Sequence, residues 1–222
     1  MRTDLEIQKD VMEELKWAPL LKATEIGVAV KDGVVTLSGT VDSYTKKMEA
    51  EKAAKRVTGV KAIAEEIEIK FFSSSIKNDT EIARTIADSL RWHSSVPEDK
   101  IKVKVEGGWV TLEGEVDWDY QKGAAENAII NLTGVKGIND LMTVKPQVVA
   151  KDVKQKIAAA FHRNATIDSE KINIEIAGNK ATLKGVVRSW AERDDAEDAV
   201  WNAPGISSVD NQLEIENEIF VY

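Results

Sequence analysis

At 222 residues, 43% hydrophobic and 31% charged, the chain is too apolar for disorder and long enough for one sizeable core or several small ones. The absence of cysteine excludes disulfides, thiolate metal sites and cysteine nucleophiles. A net charge of -8 argues against nucleic acid as the main partner, because that binding needs a basic footprint.

From the start, Met1 to Ile7 runs directly into amphipathic sequence, with no basic start, apolar middle and small-residue cleavage site. No run approaches the roughly 18 apolar residues of a membrane span. The chain as it stands reads as cytoplasmic, and as periplasmic if a leader has been removed.

Apolar residues four apart (Ile7, Val11, Leu15) predict a first helix, with Asp4 placed as its N-cap. Ile26, Val28 and Val30 then alternate as a half-buried strand does. Asp32-Gly33 is a tight-hairpin dipeptide. The second strand places Val35, Leu37, Gly39 and Val41 on one face; Gly39, among inward positions, suggests the close approach of a helix. Ala50, Ala53, Ala54 and Val57 form the buried stripe of a second helix that Gly59 stops. A third strand follows with Ile63, Ile67 and Ile69.

The pattern then starts again. Val35-Thr36-Leu37-Ser38-Gly39-Thr40-Val41 returns as Val110-Thr111-Leu112-Glu113-Gly114-Glu115-Val116 and as Ala181-Thr182-Leu183-Lys184-Gly185-Val186-Val187. In each copy a second glycine, Gly59, Gly134 or Gly205, follows 20 residues after the first, and a turn element, Gly33, Gly108 or Asn179, precedes it by six. Residues 4–69 and 79–144 align without gaps at an offset of 75 with 24 identities in 66 positions. The third copy lies a further 71 residues on, with first-helix residues Val153, Ile157 and Phe161. Asp79, like Asp4, is placed as an N-cap.

The fold class expected is α+β: three tandem α-β-β-α-β modules, each a three-stranded mixed sheet with two helices on one face. The divisions fall at 1–70 (module one), 71–78 (linker), 79–145 (module two), 146–149 (linker), 150–217 (module three) and 218–222 (apolar tail). Modules two and three, joined by the shorter linker, are expected to associate more closely than one and two. The tail Glu218-Ile219-Phe220-Val221-Tyr222 is expected to add an edge strand or pack between modules.

The motif Val/Ala-Thr-Leu-x-Gly-x-Val, the alanine-rich helix and a Gly-Val/Ile 20 residues on resemble the BON (bacterial OsmY and nodulation) domain family. In copy three, Gly205-Ile206-Ser207-Ser208-Val209-Asp210-Asn211-Gln212-Leu213 is similar to that family's closing segment; copies one and two carry Glu65 and Asp140 where it has the asparagine. A structural role, capping a strand end or bonding backbone, is expected for these three. The resemblance implies an OsmY-like, envelope-associated protein of the osmotic stress response that binds phospholipid or another envelope partner and catalyses nothing. The alternative is a structural or chaperone-like protein-interaction module without lipid affinity.

The residues carry no enzyme signature and call for no cofactor and no metal. His93 and His162 occupy non-equivalent positions outside any metal-binding spacing and are expected at helix-end surfaces. For an anionic lipid the candidates are Lys46, Lys47, Lys52, Lys55 and Arg56 on the second helix of module one, each worth about 1 kcal/mol beside an anionic surface. A solvated face paired along the helix is the plainer expectation. The six tryptophans are expected at module rims and contacts, and Trp17 and Trp92 are the two that a lipid interface or partner protein would touch. Gly33, Gly39, Gly59, Gly108, Gly114, Gly134, Gly185 and Gly205 are structural candidates. Oligomeric state is left open.

Overall fold

The computed structural model describes residues 2–71, 77–146 and 152–216. Each module repeats one order. Module one has α1 (Asp4–Trp17), β1 (Ile26–Lys31), β2 (Val34–Val41), α2 (Tyr44–Lys55) and β3 (Ala62–Ile69). Module two has α3 (Asp79–Trp92), β4 (Ile101–Glu106), β5 (Trp109–Val116), α4 (Asp119–Ile129) and β6 (Gly137–Val144). Module three has α5 (Val153–Arg163), β7 (Ile172–Ala177), β8 (Lys180–Val187), α6 (Trp190–Trp201) and β9 (Ser208–Ile215). The tail 218–222 and most of both linkers lie outside the described residues.

Every sheet places its second strand in the middle, in the orders β1-β2-β3, β4-β5-β6 and β7-β8-β9. The first two strands form an antiparallel hairpin, pairing Val30 with Val35 and Ile26 with Gly39 in module one. The third strand runs parallel to the second, pairing Val110 with Ile138 and Val116 with Val144 in module two. Parallel neighbours cannot be joined by a hairpin, so the second helix of each module is the crossover that returns the chain. The sheets are mixed for this reason.

In module three the core joins Val153, Ile157 and Phe161 of α5 with Ile174, Leu183 and Leu213 of the sheet and Ala196 and Val200 of α6. Alanines on the second helix keep that helix close to the strands: Ala50, Ala53 and Ala54 are all fully buried.

The place of the repeated glycine among inward residues suggested a helix close by; what crowds it is the backbone just before the first strand, a short 3-10 turn in modules one and two, and not one of the α-helices. A Cβ on Gly39, Gly114 or Gly185 would stand 2.1, 2.1 or 2.0 Å from the carbonyl oxygen of Glu25, Lys100 or Lys171, the residue just before the first strand. With φ of 132, 149 and 135°, these positions exclude a side chain on two grounds. The second repeated glycine also differs from its expected role. Helices α2, α4 and α6 end at Lys55, Ile129 and Trp201, a turn ahead of Gly59, Gly134 and Gly205, whose φ of 92, 102 and 91° serves the reversal into the third strand.

The chain gathers into two compact units: residues 1–40, 46–68 and 148–222 form one, residues 41–45 and 69–147 the other. Module three thus clusters with module one, not with module two as the linkers suggested. Linker length limits reach but does not choose which surfaces meet.

Candidate interaction surface

The acids at the helix starts do different work from that expected. The N-caps are Thr3 and Asn78, each in a capping box with Glu6 or Glu81. Asp4 and Asp79, one residue later, reach across to the hairpin. Asp4 accepts from the backbone N–H of Asp32 (2.8 Å) and Gly33 (3.0 Å), and Asp79 from Gly107 (2.7 Å) and Gly108 (3.0 Å). Both residues of each turn have positive φ: 54 and 80° in module one, 58 and 85° in module two. That conformation turns two amides to one side, where a carboxylate satisfies them together. In module three Asn179 Nδ2 instead donates to Gly205 O at 2.6 Å.

A second repeated cluster lies between the second helix and the third strand, at positions equivalent under the 75- and 71-residue offsets. In module one Lys47 donates to Ile67 O (3.2 Å) and pairs with Glu65 (3.5 Å). In module two Lys122 pairs with Asp140 (3.1 Å), which accepts from the N–H of Met142 (2.7 Å). In module three Arg193 donates to Asn211 O (2.8 Å), and Asn211 Nδ2 donates to Glu197 (2.8 Å). Burial pushes the Glu65 carboxyl above its ordinary value, opposed by Lys47 and reinforced by Glu51. Burial and then the facing Asp140 push Glu126 up, against Lys122. Lys47 therefore belongs to a cluster that recurs in all three modules, which is a structural role.

The other basic candidates divide. Lys55 pairs with Glu51 and with Asp194 of module three, both at 3.3 Å. Arg56 pairs with Glu49 (3.2 Å) and with Glu14 on α1 (3.5 Å). Lys52 is exposed and Lys46 half-buried. The position of Lys46 is informative. Its equivalents are Gln121, whose Oε1 accepts from the N–H of Asp117 (2.9 Å) and Trp118 (3.0 Å), and Glu192. Glu192 is 3% exposed and accepts from the N–H of Asp168 (2.7 Å) and Arg188 (2.8 Å) and from Arg188 Nε (3.0 Å). Burial pushes the Glu192 carboxyl up, but the Arg188 and Asp168 donors outweigh it and hold it below its ordinary value. A lysine has no side-chain acceptor, so module one gives up this cap for a cation.

Tryptophan placement departs from the expected burial at four sites, since Trp109 and Trp118 are 55% and 39% exposed and two others more so. Trp17 and Trp92, at the ends of α1 and α3, are 84% and 87% exposed. Leu20 is exposed beside Trp17. Trp190 and Trp201 of module three are half-buried, with Arg193 5.3 Å above the Trp190 ring centroid. Both histidines are exposed at the ends of their helices, and His162 Nδ1 lies 2.9 Å from Ser169 Oγ. Among the described residues no group of three or more His, Asp or Glu side chains is arranged to hold a metal ion, and no helix is long and apolar enough to cross a membrane.

The carboxylate latch was not assigned from sequence; in the polar cluster the structural role expected of Asp140 and Asn211 is seen, each accepting from the backbone N–H two residues on, but the partners on the second helix were not assigned. The identities at Asp4/Asp79, Lys47/Lys122 and Glu51/Glu126 were the signal, since equivalent polar residues kept in both copies mark shared contacts.

The family model of the BON domain matches residues 3–70, 78–146 and 150–217, nearly the whole chain. The chain belongs to the BON domain family. Osmotically-inducible protein Y of Escherichia coli (strain K12) is 36% identical over 128 residues, 55% of this chain and 64% of that protein. The chain thus spans just under two thirds of that relative. An uncharacterized protein in the gshII 5′ region of Anaplasma centrale is 28% identical over 54% of this chain and 80% of its own length. Two solved chains of a structural protein of the type III secretion system of Chlamydia trachomatis align over 94% and 97% of this BON chain, and 91% and 100% of their own, at 13% and 12% identity. Their TM-scores of 0.26 carry no argument.

Proposed function

We propose that this BON-domain chain is a non-catalytic, OsmY-like protein of the osmotic-stress response or the cell envelope that binds an anionic phospholipid surface through Trp17 and Trp92. Membership in the BON family and the similarity to osmotically-inducible protein Y support the setting. The observation that carries the surface is the exposure of two indoles at equivalent helix ends. A buried tryptophan covers about 150–250 Å², worth on the order of a few kcal/mol at about 25 cal/mol/Å². Lys52, exposed on α2, supplies a salt-sensitive increment of about 1 kcal/mol.

Flotation with anionic vesicles at low and physiological salt tests this reading. Wild-type protein is expected to float. The double variant Trp17→Ala/Trp92→Ala is expected to lose flotation at both salts, and Lys52→Glu to weaken it chiefly at low salt, where the lysine contribution is least screened. Wild-type protein that stays with the dense fraction even at low salt overturns the lipid reading.

The second reading, a structural or chaperone-like protein-interaction module, draws on the ion pairing of Lys55 and Arg56 and on the net charge of -8, which repels anionic surfaces. It predicts retention of a protein partner, weakened by the same tryptophan substitutions, without flotation.

A further inference from the structure

Two joints in the chain use the same two places on the fold. Residues 41–45, which lead into α2, gather with module two. There Thr45 Oγ1 donates to Asn131 Oδ1 (2.7 Å), with Ile130 O at 3.2 Å, just past the end of α4. Tyr44, Ile130 and Leu132 line a groove beside that bond. In the other compact unit, Asp194 on α6 pairs with Lys55 at the end of α2 (3.3 Å). Lys55 and Ile130 are equivalent positions of the repeat. Asp194 lies one turn beyond Ala191, the equivalent of Thr45, and so on the same side of its helix. Each joint therefore sets the start of one second helix against the end of another, head to tail.

Such a joint has two unlike faces, a start and an end, and each module carries one of each. The starts of α2 and α6 and the ends of α4 and α2 are engaged. Among the described residues that leaves the start of α4 and the end of α6. At the first, Trp118 and Tyr120 are 39% and 57% exposed, and Tyr120 stands where Thr45 does in module one. At the second, Asn202 is exposed and stands where Asn131 does in module two, with the same side chain. Its Nδ2 donates to Asp198 O (2.9 Å), so its Oδ1 is the atom that corresponds to the acceptor of Thr45. A phenol, like a threonine hydroxyl, has one O–H to donate. The bond of the existing joint can thus be made again, with two rings adding the amphipathic area that suits an interface.

We propose that the start of α4 in one chain docks on the end of α6 in a second copy of the chain, with Tyr120 donating to Asn202 of that copy. The contact continues between chains the head-to-tail joint already made within one. Because its two faces differ, it is heterologous: each added copy presents a fresh start and a fresh end, and association proceeds until a ring closes. The competing arrangement is an isologous pair in which two α4 starts meet each other.

A joint between two helix ends is a small interface, so the test is sedimentation of the full chain from micromolar to millimolar concentration. The average mass of the wild-type chain is expected to rise above that of a monomer as concentration increases. Tyr120→Arg and Asn202→Arg, both at exposed side chains, each remove one face, and each variant alone is expected to stay monomeric. Mixed in equal amounts, the two are expected to form a one-to-one pair and nothing larger, because each supplies the face that the other lacks. That restored pairing also shows that both variants are folded. A wild-type chain that stays monomeric throughout overturns the proposal, whatever the variants do. So does a mixture that stays monomeric although both variants keep the circular dichroism of the wild type. Association of Asn202→Arg equal to that of the wild type overturns it as well, by assigning the contact to an isologous pair through α4.

Discussion

At the residue scale, the repeated positions show how one backbone accepts different chemistry. Gly114 pairs an excluded Cβ with a backbone oxygen that cannot move aside. Gly114→Ala is expected to cost at least about 2 kcal/mol, read as a lower urea midpoint. Two carboxyls, the buried Glu192 and the half-buried Glu126, respond to pH in opposite senses. Glu192 has a lowered folded value, so its stabilisation is present above the ordinary 4.5 and is lost as pH falls through the folded value. Glu192→Gln is expected to lose about 1–3 kcal/mol at neutral pH and much less in acid, measured by denaturation across pH. Glu126 has a raised folded value, so it favours folding below 4.5, and that advantage disappears as pH rises from 4.5 through the raised value. Glu126→Gln is expected to raise the melting temperature at neutral pH; a lower one shows that the carboxylate's contacts outweigh its burial.

At the scale of elements, the first helix is tied to the hairpin beyond it by one carboxylate. Asp79 spans 28 and 29 residues of sequence to the amides of Gly107 and Gly108, so it holds α3 against the β4–β5 turn. Asp79→Ala is expected to cost about 1–3 kcal/mol and to speed amide exchange at Gly107 and Gly108 first, while Asn78→Ala frays only the start of the helix, at about 1 kcal/mol. Exchange that rises equally along α3 in both variants removes the latch. Periodicity placed the helices and strands here, because each buries one face and that face has a fixed repeat. It misassigned the cap by one residue, since Thr3-Asp4 and Asn78-Asp79 each offer two adjacent capping side chains and only the hairpin's position tells them apart.

At the scale of the whole molecule, three small cores are distributed over two compact units. Module two melts on its own terms if that division is energetic as well as spatial. Calorimetry is expected to show more than one transition, and Met142→Ala, at a residue 4% exposed on β6, to lower only one of them, at a cost of about 2–5 kcal/mol. A single transition shifted as a whole shows that the units unfold together. The lipid proposal also belongs here, because two tryptophans on separate modules bind one surface strongly only if both reach it at once.

What the chain determined by itself was the repeat, the α-β-β-α-β order and the places where backbone must turn, since apolar spacing and glycine act locally and recur with each copy. Tertiary structure decided the rest. It showed that a backbone carbonyl, not an α-helix, crowds Gly39, that Lys47 serves the third strand and not the outside, that Trp17 and Trp92 stay uncovered, and that module three clusters with module one. The physical reason is the same throughout: a side chain's type states what it can bond or bury, and only residues distant in sequence supply or withhold the partner.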